Sequence, residues 1–435
     1  MHIRRLVAAA VIWGAPLLVV APVEAQIDAE ADARAAVPVL SRTGPDGAAY
    51  GEEQGYPVGH PLKRQQNMVG NYSHADQLFP SHRVAAAAQP SALARAPKEL
   101  SLTYRFQGKI FSLQDYLDRN PATGLLIARD DMVLFEHYQY GRTDRDRFYS
   151  QSMAKTITAM LVGVALEEGV LRSIDDTVQD YIPELAGTEL GVTPLRALLH
   201  MASGLDFSQD YGGSDDGARL NALLFAASGP DTAAILSQFN TRVAAPGTVW
   251  HYANLNTETL GLVLSRATRM TVAQYLESRI WQPMGAEADA AWITDHGGQE
   301  ISFCCFNATL RDYARFALML AHDGEWNGRQ IVPRQWVLDG TQPVAEGSYL
   351  AVEAGPHPWG YGYQMWLMPG PRRTFALEGI EGQRIFIDPA TRLVLVHTAV
   401  RLKPTHDAGD TELLALWRSL LRSVDPVQPG RRSPS

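Results

Sequence analysis

The sequence predicts a mixed α/β (α+β) fold in which one sheet is assembled from distant parts of the chain. Three observations predict it. Gly124-Leu-Leu-Ile-Ala128 and Met132-Val-Leu-Phe-Glu-His-Tyr138 flank Arg129-Asp130-Asp131 as a strand–turn–strand unit. Gly360 to Trp366, Arg384 to Asp388 and Leu393 to Ala399 alternate or run apolar in the same manner much later in the chain. Between the two groups, apolar residues recur three and four apart, the spacing of a buried helix face. Strands at both ends with helices between them meet in a single sheet flanked by helices.

The remaining elements follow in order. Thr103 to Phe106 alternates like a strand, and Ser112 to Arg119 suits a short helix. Ile174 to Pro183 reads as a helical turn stopped by proline. Thr193 to His200 reads as a helix with Thr193 as N-cap and Pro194 at its first position. Residues 201 to 248 are rich in Gly and Asp and read as loop with one helix, Thr232 to Phe239; a long loop in a compact enzyme is often functional. Asn256 to Thr268, Val272 to Trp281 and Thr309 to Ala321 carry helical spacing, and Asp410 to Ser423 closes the chain as a helix.

Composition sets the frame. A chain of 435 residues that is 46% hydrophobic can bury a large core. The net charge of -9, with no basic run interleaved with aromatics, argues against a nucleic-acid partner. Arg4 and Arg5 precede the apolar run Leu6 to Val20, and Ala25 ends a cleavage-like site. Residues 1–25 therefore read as an export signal, which places the mature protein in the periplasm or outside the cell. The run is short for a membrane span, and no stable span is expected after its removal. Residues 26–99 read as an N-terminal extension. It is tether-like to about residue 60, then irregular with Met68, Tyr72, Leu78 and Phe79. The main domain runs from 100 to 425, followed by a flexible tail over 426–435. Cys304 and Cys305 are adjacent, a spacing that rarely bridges, and two cysteines cannot build a zinc site. They read as a packed thiol pair near a surface turn.

Chemistry gathers at three places. In the first, Met153, Ile157, Met160, Leu161, Val164 and Ala165 mark a helix that ends near Gly169. Ser152 stands at its start, among unpaired N–H groups, and Lys155 lies one turn on, on the same side. A hydroxyl with an amine beside it at a helix N-terminus suits nucleophilic catalysis, although Ser-x-x-Lys alone is a common string. The second is Tyr252-Ala-Asn254, after the turn signal Pro246-Gly247 and before a helix. A Lys ammonium beside this phenol would lower its pKa, and Asn254 could hold a substrate carbonyl or the lysine. The third is Leu377-Glu378-Gly379-Ile380-Glu381-Gly382 at a strand edge, where glycine admits a close substrate and the Ile380 N–H could join that of Ser152.

The ordered triple Ser152-x-x-Lys155, Tyr252-x-Asn254 and the Gly-rich strand resembles the serine β-lactamase and penicillin-binding-protein superfamily over about residues 100 to 425. Its Tyr-x-Asn box is similar to that of the class C branch, as are Leu198-Leu-His-Met-Ala-Ser-Gly-Leu205 and Asn307-Ala-Thr-Leu-Arg-Asp-Tyr-Ala-Arg-Phe316. The resemblance implies a β-lactamase/transpeptidase-like fold: an antiparallel sheet flanked by helices, with an all-helical subdomain. The third box departs from the family's Lys-Thr-Gly or His-Thr-Gly. Leu377-Glu378-Gly379 carries no cation, which speaks against penicillin-type carboxylate recognition. In this it resembles 6-aminohexanoate-dimer hydrolases and related carboxylesterases.

That likeness implies Ser152, Lys155 and Tyr252 as catalytic residues, and Ser152 and Ile380 as the oxyanion hole. Asn254, Trp366, Gly379, Tyr211 and Asp215 would border a small-molecule amide or ester substrate. No metal or cofactor is expected. The alternatives within the fold are a β-lactamase, a D-alanyl-D-alanine carboxypeptidase-like enzyme or a sensor acylated once. His200, His397 and His406 lack the Gly-x-Ser-x-Gly elbow of a Ser-His-Asp hydrolase.

Overall fold

Strand propensity at both ends of the main domain becomes an eight-stranded sheet, but not the single sheet expected: Ser81–Val84, Ala290–Ile293, Phe306–Ala308 and Phe148–Tyr149 pair in a second sheet, and Thr103–Phe106 pairs separately with Lys109–Ser112. In the computed structural model, residues 43–342, 348–351 and 358–424 are described. The export-signal reading of residues 1–25 and the tail at 426–435 lie outside them. The sheet strands are β1 (Ala94–Arg95), β2 (Ala122–Arg129), β3 (Met132–Tyr138), β4 (Gly360–Tyr361), β5 (Trp366–Leu367), β6 (Phe375–Gly379), β7 (Gln383–Asp388) and β8 (Leu393–Ala399). Their order is β4-β5-β6-β7-β8-β2-β3-β1. Neighbours are antiparallel except β1 beside β3. The central pairing of β8 with β2, Leu395 opposite Ile127, joins the two distant strand groups. The stretch expected as one strand from Gly360 to Trp366 is instead a hairpin, because Gln364 takes a positive φ of 58° and turns the chain between β4 and β5.

The helices used below are α1 (Gln65–Ser73), α2 (Leu113–Arg119), α3 (Ala154–Glu167), α4 (Asn254–Thr268), α5 (Leu310–Ala321), α6 (Arg334–Thr341) and α7 (Ala408–Val424). Alternation sends Leu125, Ile127, Leu393 and Leu395 to one sheet face, where they pack with Tyr116 and Leu117 of α2 and Leu413, Leu416 and Trp417 of α7. The other face carries Gly124, where an added Cβ would stand 2.9 Å from Leu310 of α5. α2 starts on a capping box formed by Ser112 and Asp115, and at α5 Thr309 accepts from the Asp312 N–H. At Leu195–Leu199 the cap is Pro194, one residue later than expected. Residues 154–281 form the helical part of the domain and include a helix the sequence reading missed, Asp216–Leu224.

Two expectations are corrected. Residues 43–60 are not a loose tether: Tyr50 and Tyr56 are buried with Met68, Val69, Tyr72, Tyr140 and Val400, and the Tyr50 hydroxyl donates to the Val400 carbonyl at 2.7 Å. Four aromatic rings outweighed a composition rich in small and polar residues. Cys304 and Cys305 are joined in a disulfide and are buried, not a thiol pair at a surface turn. Cys305 adopts a φ of 76°, so the chain has left the ordinary backbone regions on which the expectation rested.

α6 seals α3, the helix that carries Lys155 and follows Ser152. Gly163 of α3 faces the Trp336 indole, and a Cβ there would fall 2.3 Å from a ring carbon. Trp336 is held rigidly, its Nε1 donating to the Ala159 carbonyl at 3.0 Å. Gly163→Ala would gain about 1 kcal/mol of helix propensity but cost about 1–3 kcal/mol of overpacking. We expect net destabilisation in a urea titration; a stabilised variant would contradict this packing.

Candidate active site

Ser152 sits in the 3₁₀ turn Gln151–Met153 that leads into α3. The turn is fixed from two sides. Ser150 donates its N–H to the Phe306 carbonyl at 2.8 Å, and its hydroxyl accepts from the Phe306 N–H at 3.2 Å. The end of β6 presses on it at Gly379, where a Cβ would stand 2.7 Å from the Ser150 carbonyl oxygen. Glycine is required there because two backbones meet.

Lys155 is 1% exposed. Its Nζ lies 2.9 Å from Ser152 Oγ, 2.8 Å from Asn254 Oδ1 and 2.9 Å from the Phe303 carbonyl oxygen. Two of these partners only accept. A neutral amine has two N–H groups for them and one lone pair left for the Ser152 hydroxyl proton. Burial holds the Lys155 pKa well below the usual lysine value, against the opposing pull of Glu258. Glu258 is itself pushed up to about 8 by burial, so it is protonated near neutrality and offers no counter-charge.

The phenol of Tyr252 reaches the same serine by a hydrogen bond. The sequence reading expected a neighbouring ammonium to lower its pKa. Instead burial, with Tyr211 and Tyr361 adding to it, raises the pKa well above the ordinary value, and Lys155 stands 5.0 Å from the ring centroid. Tyr252 therefore stays protonated, and the ionisable base beside Ser152 is the amine. Trp366 stacks on the Tyr252 ring at 5.8 Å and 20°, with Trp250 and Tyr361 at its edges.

Asn254 holds the lysine. Gln209 locks that amide: its Nε2 donates to Asn254 Oδ1 at 3.1 Å and its Oε1 accepts from the Asn254 N–H at 2.8 Å. Asp215 does not border the cavity. Its carboxylate accepts from the N–H groups of Ala218 and Asp210, capping Asp216–Leu224 and shaping the loop that carries Tyr211. Tyr211 lines the cavity. His397 is enclosed between the Tyr116 hydroxyl and the Gly382 carbonyl and makes no triad with Ser152.

The cavity above Ser152 has a volume of about 740 Å³ and is walled by Tyr211, Trp250, Tyr252, Trp359, Trp366 and Ile380, with Gly379 at its floor. One feature was not anticipated. The third motif carries no cation, yet Arg384 of β7 lines the cavity. Its charge is already matched by Glu378 at 3.2 Å and Asp410 at 3.3 Å. Gln209, Trp250 and Arg384 carried no motif; only their contacts across the fold reveal them.

A buried lysine whose pKa is pulled down, hydrogen-bonded to a serine under an aromatic cavity, defines a serine hydrolase. A family profile, Beta-lactamase, matches residues 113–416, and the chain belongs to that family. It is 26% identical over 294 residues to the 6-aminohexanoate-dimer hydrolase of Paenarthrobacter ureafaciens, covering 65% of this chain and 74% of that one. A Bacillus anthracis protein solved as a candidate 6-aminohexanoate-dimer hydrolase aligns with a TM-score of 0.74 and 24% identity, over 84% of this chain and 97% of its own. A family VIII carboxylesterase structure aligns at 0.53 and 17% identity, over 69% and 93%.

The lysine leaves a mark on stability. Its folded pKa lies below its unfolded one, so between the two the unfolded chain binds the extra proton and stability rises with pH, by at most about 1.4 kcal/mol per unit. The opposing slope of Glu258, whose folded pKa is about 8, fades above that and is gone by about pH 9. Urea unfolding between pH 8 and 10 should show a steeper rise for the wild type than for Lys155→Met. Equal slopes would mean that Lys155 is not buried as the free amine.

Proposed function

We propose that the protein hydrolyses linear amides and short-chain carboxyl esters through an acyl-enzyme on Ser152. The observation that carries this reading is the contact of the buried Lys155 Nζ with Ser152 Oγ at 2.9 Å: as the free amine, Lys155 keeps its two N–H groups on Asn254 Oδ1 and the Phe303 carbonyl and turns its lone pair to Ser152 Oγ. Lys155 takes the Ser152 proton as the oxygen attacks the substrate carbonyl. The N–H groups of Ser152 and Ile380 stabilise the tetrahedral oxyanion. Tyr252, a neutral phenol in the same cavity as Ser152, passes a proton to the departing amine or alcohol. Water then attacks the acyl carbonyl by the reverse proton route, and Ser152 leaves.

The substrate class rests on the cavity. Its aromatic walls suit the methylene chain of an amide or ester, Arg384 is paired with Glu378 and with an Asp410 shared with Arg401, and Lys403, His406 and Asp407 also line it. The third motif lacks the Lys or His that would meet a β-lactam carboxylate beside the scissile bond, which favours linear amides and esters, whose carboxylate, where present, lies at the far end of a methylene chain. The relatives named for a linear amide dimer and for carboxyl esters support the same choice. We also propose that the protein works outside the cytoplasm. The pattern of residues 1–25 and the Cys304–Cys305 disulfide both suit an exported, oxidising setting.

Purified protein should turn over p-nitrophenyl butyrate or a linear 6-aminohexanoate dimer faster than a chromogenic cephalosporin. Ser152→Ala should lower kcat/KM by at least about 10⁴-fold. A preference for the cephalosporin would overturn the substrate assignment, and a burst of product without turnover would mean an acylated sensor.

A further inference from the structure

Two residues next to the proposed oxyanion donors share an unusual backbone. Gln151, just before Ser152, has a φ of 46°, and Glu381, just after Ile380, has a φ of 62°. Side-chain-bearing residues enter this left-handed region infrequently and stay there only when the surroundings hold them. The two side chains meet in one buried polar knot. Gln151 Nε2 donates to Glu381 Oε2 at 3.0 Å and to the Tyr72 hydroxyl at 2.8 Å. The Tyr72 hydroxyl donates to the same Glu381 oxygen. Lys63 Nζ reaches the other oxygen at 2.8 Å and supplies the charge that balances a carboxylate only 2% exposed. Burial and the Glu381 charge hold the Tyr72 pKa well above its ordinary value, so Tyr72 remains a donor. The Glu381 backbone is tied on its far side to Pro404 and Arg401, so the link to the serine turn runs through the side chains.

We infer that Lys63, Tyr72 and Glu381 form a clamp on Gln151 that sets the spacing between the N–H groups of Ser152 and Ile380. Lys63 and Tyr72 precede the span 113–416 that matches the family, so the N-terminal segment completes the reaction centre of the domain it covers. These are positioning residues; they touch no substrate. The inference rests on reading Ser152 and Ile380 as the oxyanion hole.

The test is Tyr72→Phe, which keeps the ring against Tyr149 (centroids 5.5 Å apart) and removes only the hydroxyl. The control is Tyr56→Phe, which removes a hydroxyl bonded to the Thr43 carbonyl in the same segment. The assays are kcat and KM on p-nitrophenyl butyrate, inhibition by phenylboronic acid (which forms a tetrahedral serine adduct) and Tm. Tyr72→Phe should lower kcat about 10- to 100-fold, leave KM within about threefold, weaken the boronate in step and melt like the control. If Tyr72→Phe does not fold, Lys63→Met, at a side chain 58% exposed, should lower kcat severalfold and weaken the boronate with it. Unchanged kcat and boronate affinity in a folded variant would overturn the clamp, as would a kcat loss that vanishes on cooling with a lowered Tm. Activity surviving in Ser152→Ala would instead remove the oxyanion-hole reading, and the clamp with it; a dead Ser152→Ala beside a normal Tyr72→Phe removes the clamp alone.

Discussion

The amine of Lys155, taken out of water, is the constraint on which the rest of the site depends. An unpaired ammonium at that depth costs several kcal/mol, more than the neighbouring groups return. Glu258 could have balanced it, but burial protonates that carboxyl too. Burial pushes both groups toward their neutral forms, and the lysine toward a base. Tyr252 follows from the same environment: its phenol keeps its proton, so it can give one and does not compete to take one.

The fold serves that arrangement. α3 brings Ser152 and Lys155 one turn apart, α4 opens on Asn254, and the Cys304–Cys305 turn offers the Phe303 carbonyl. The end of β6 presses on the serine turn through Gly379, where a side chain would collide with the Ser150 carbonyl. Three distant segments thus fix one nitrogen, and a fourth sets the floor of the cavity. The N-terminal segment adds Tyr72 and Lys63 from behind.

What was legible in the sequence was local. Ser152 and Lys155 share a helix turn, Tyr252 and Asn254 share a helix start, and Gly379 with Ile380 closes a strand, so spacing alone could propose them. The central strands and α5 were legible because apolar period and caps agree there. The missed parts depend on long-range contact. Gln209, Arg384 and Trp250 reach the site from elements with no motif, and Tyr72 meets Glu381 across most of the chain. Asp215 was placed at the substrate by likeness to the family's loop, but backbone N–H groups had a prior claim on it. The pKa of Tyr252 was misjudged because a sequence shows a neighbouring lysine but not its burial.

The most direct test of the account is the charge on Lys155 itself. The chain's lysines are Lys63, Lys98, Lys109, Lys155 and Lys403, so ¹³Cε-labelled lysine gives a tractable NMR spectrum, with Lys155→Met to assign the signal. The account predicts one lysine resonance with the shift of a free amine at pH 7, absent from the variant. A Lys155 signal that stays that of an ammonium until near pH 10 would contradict it.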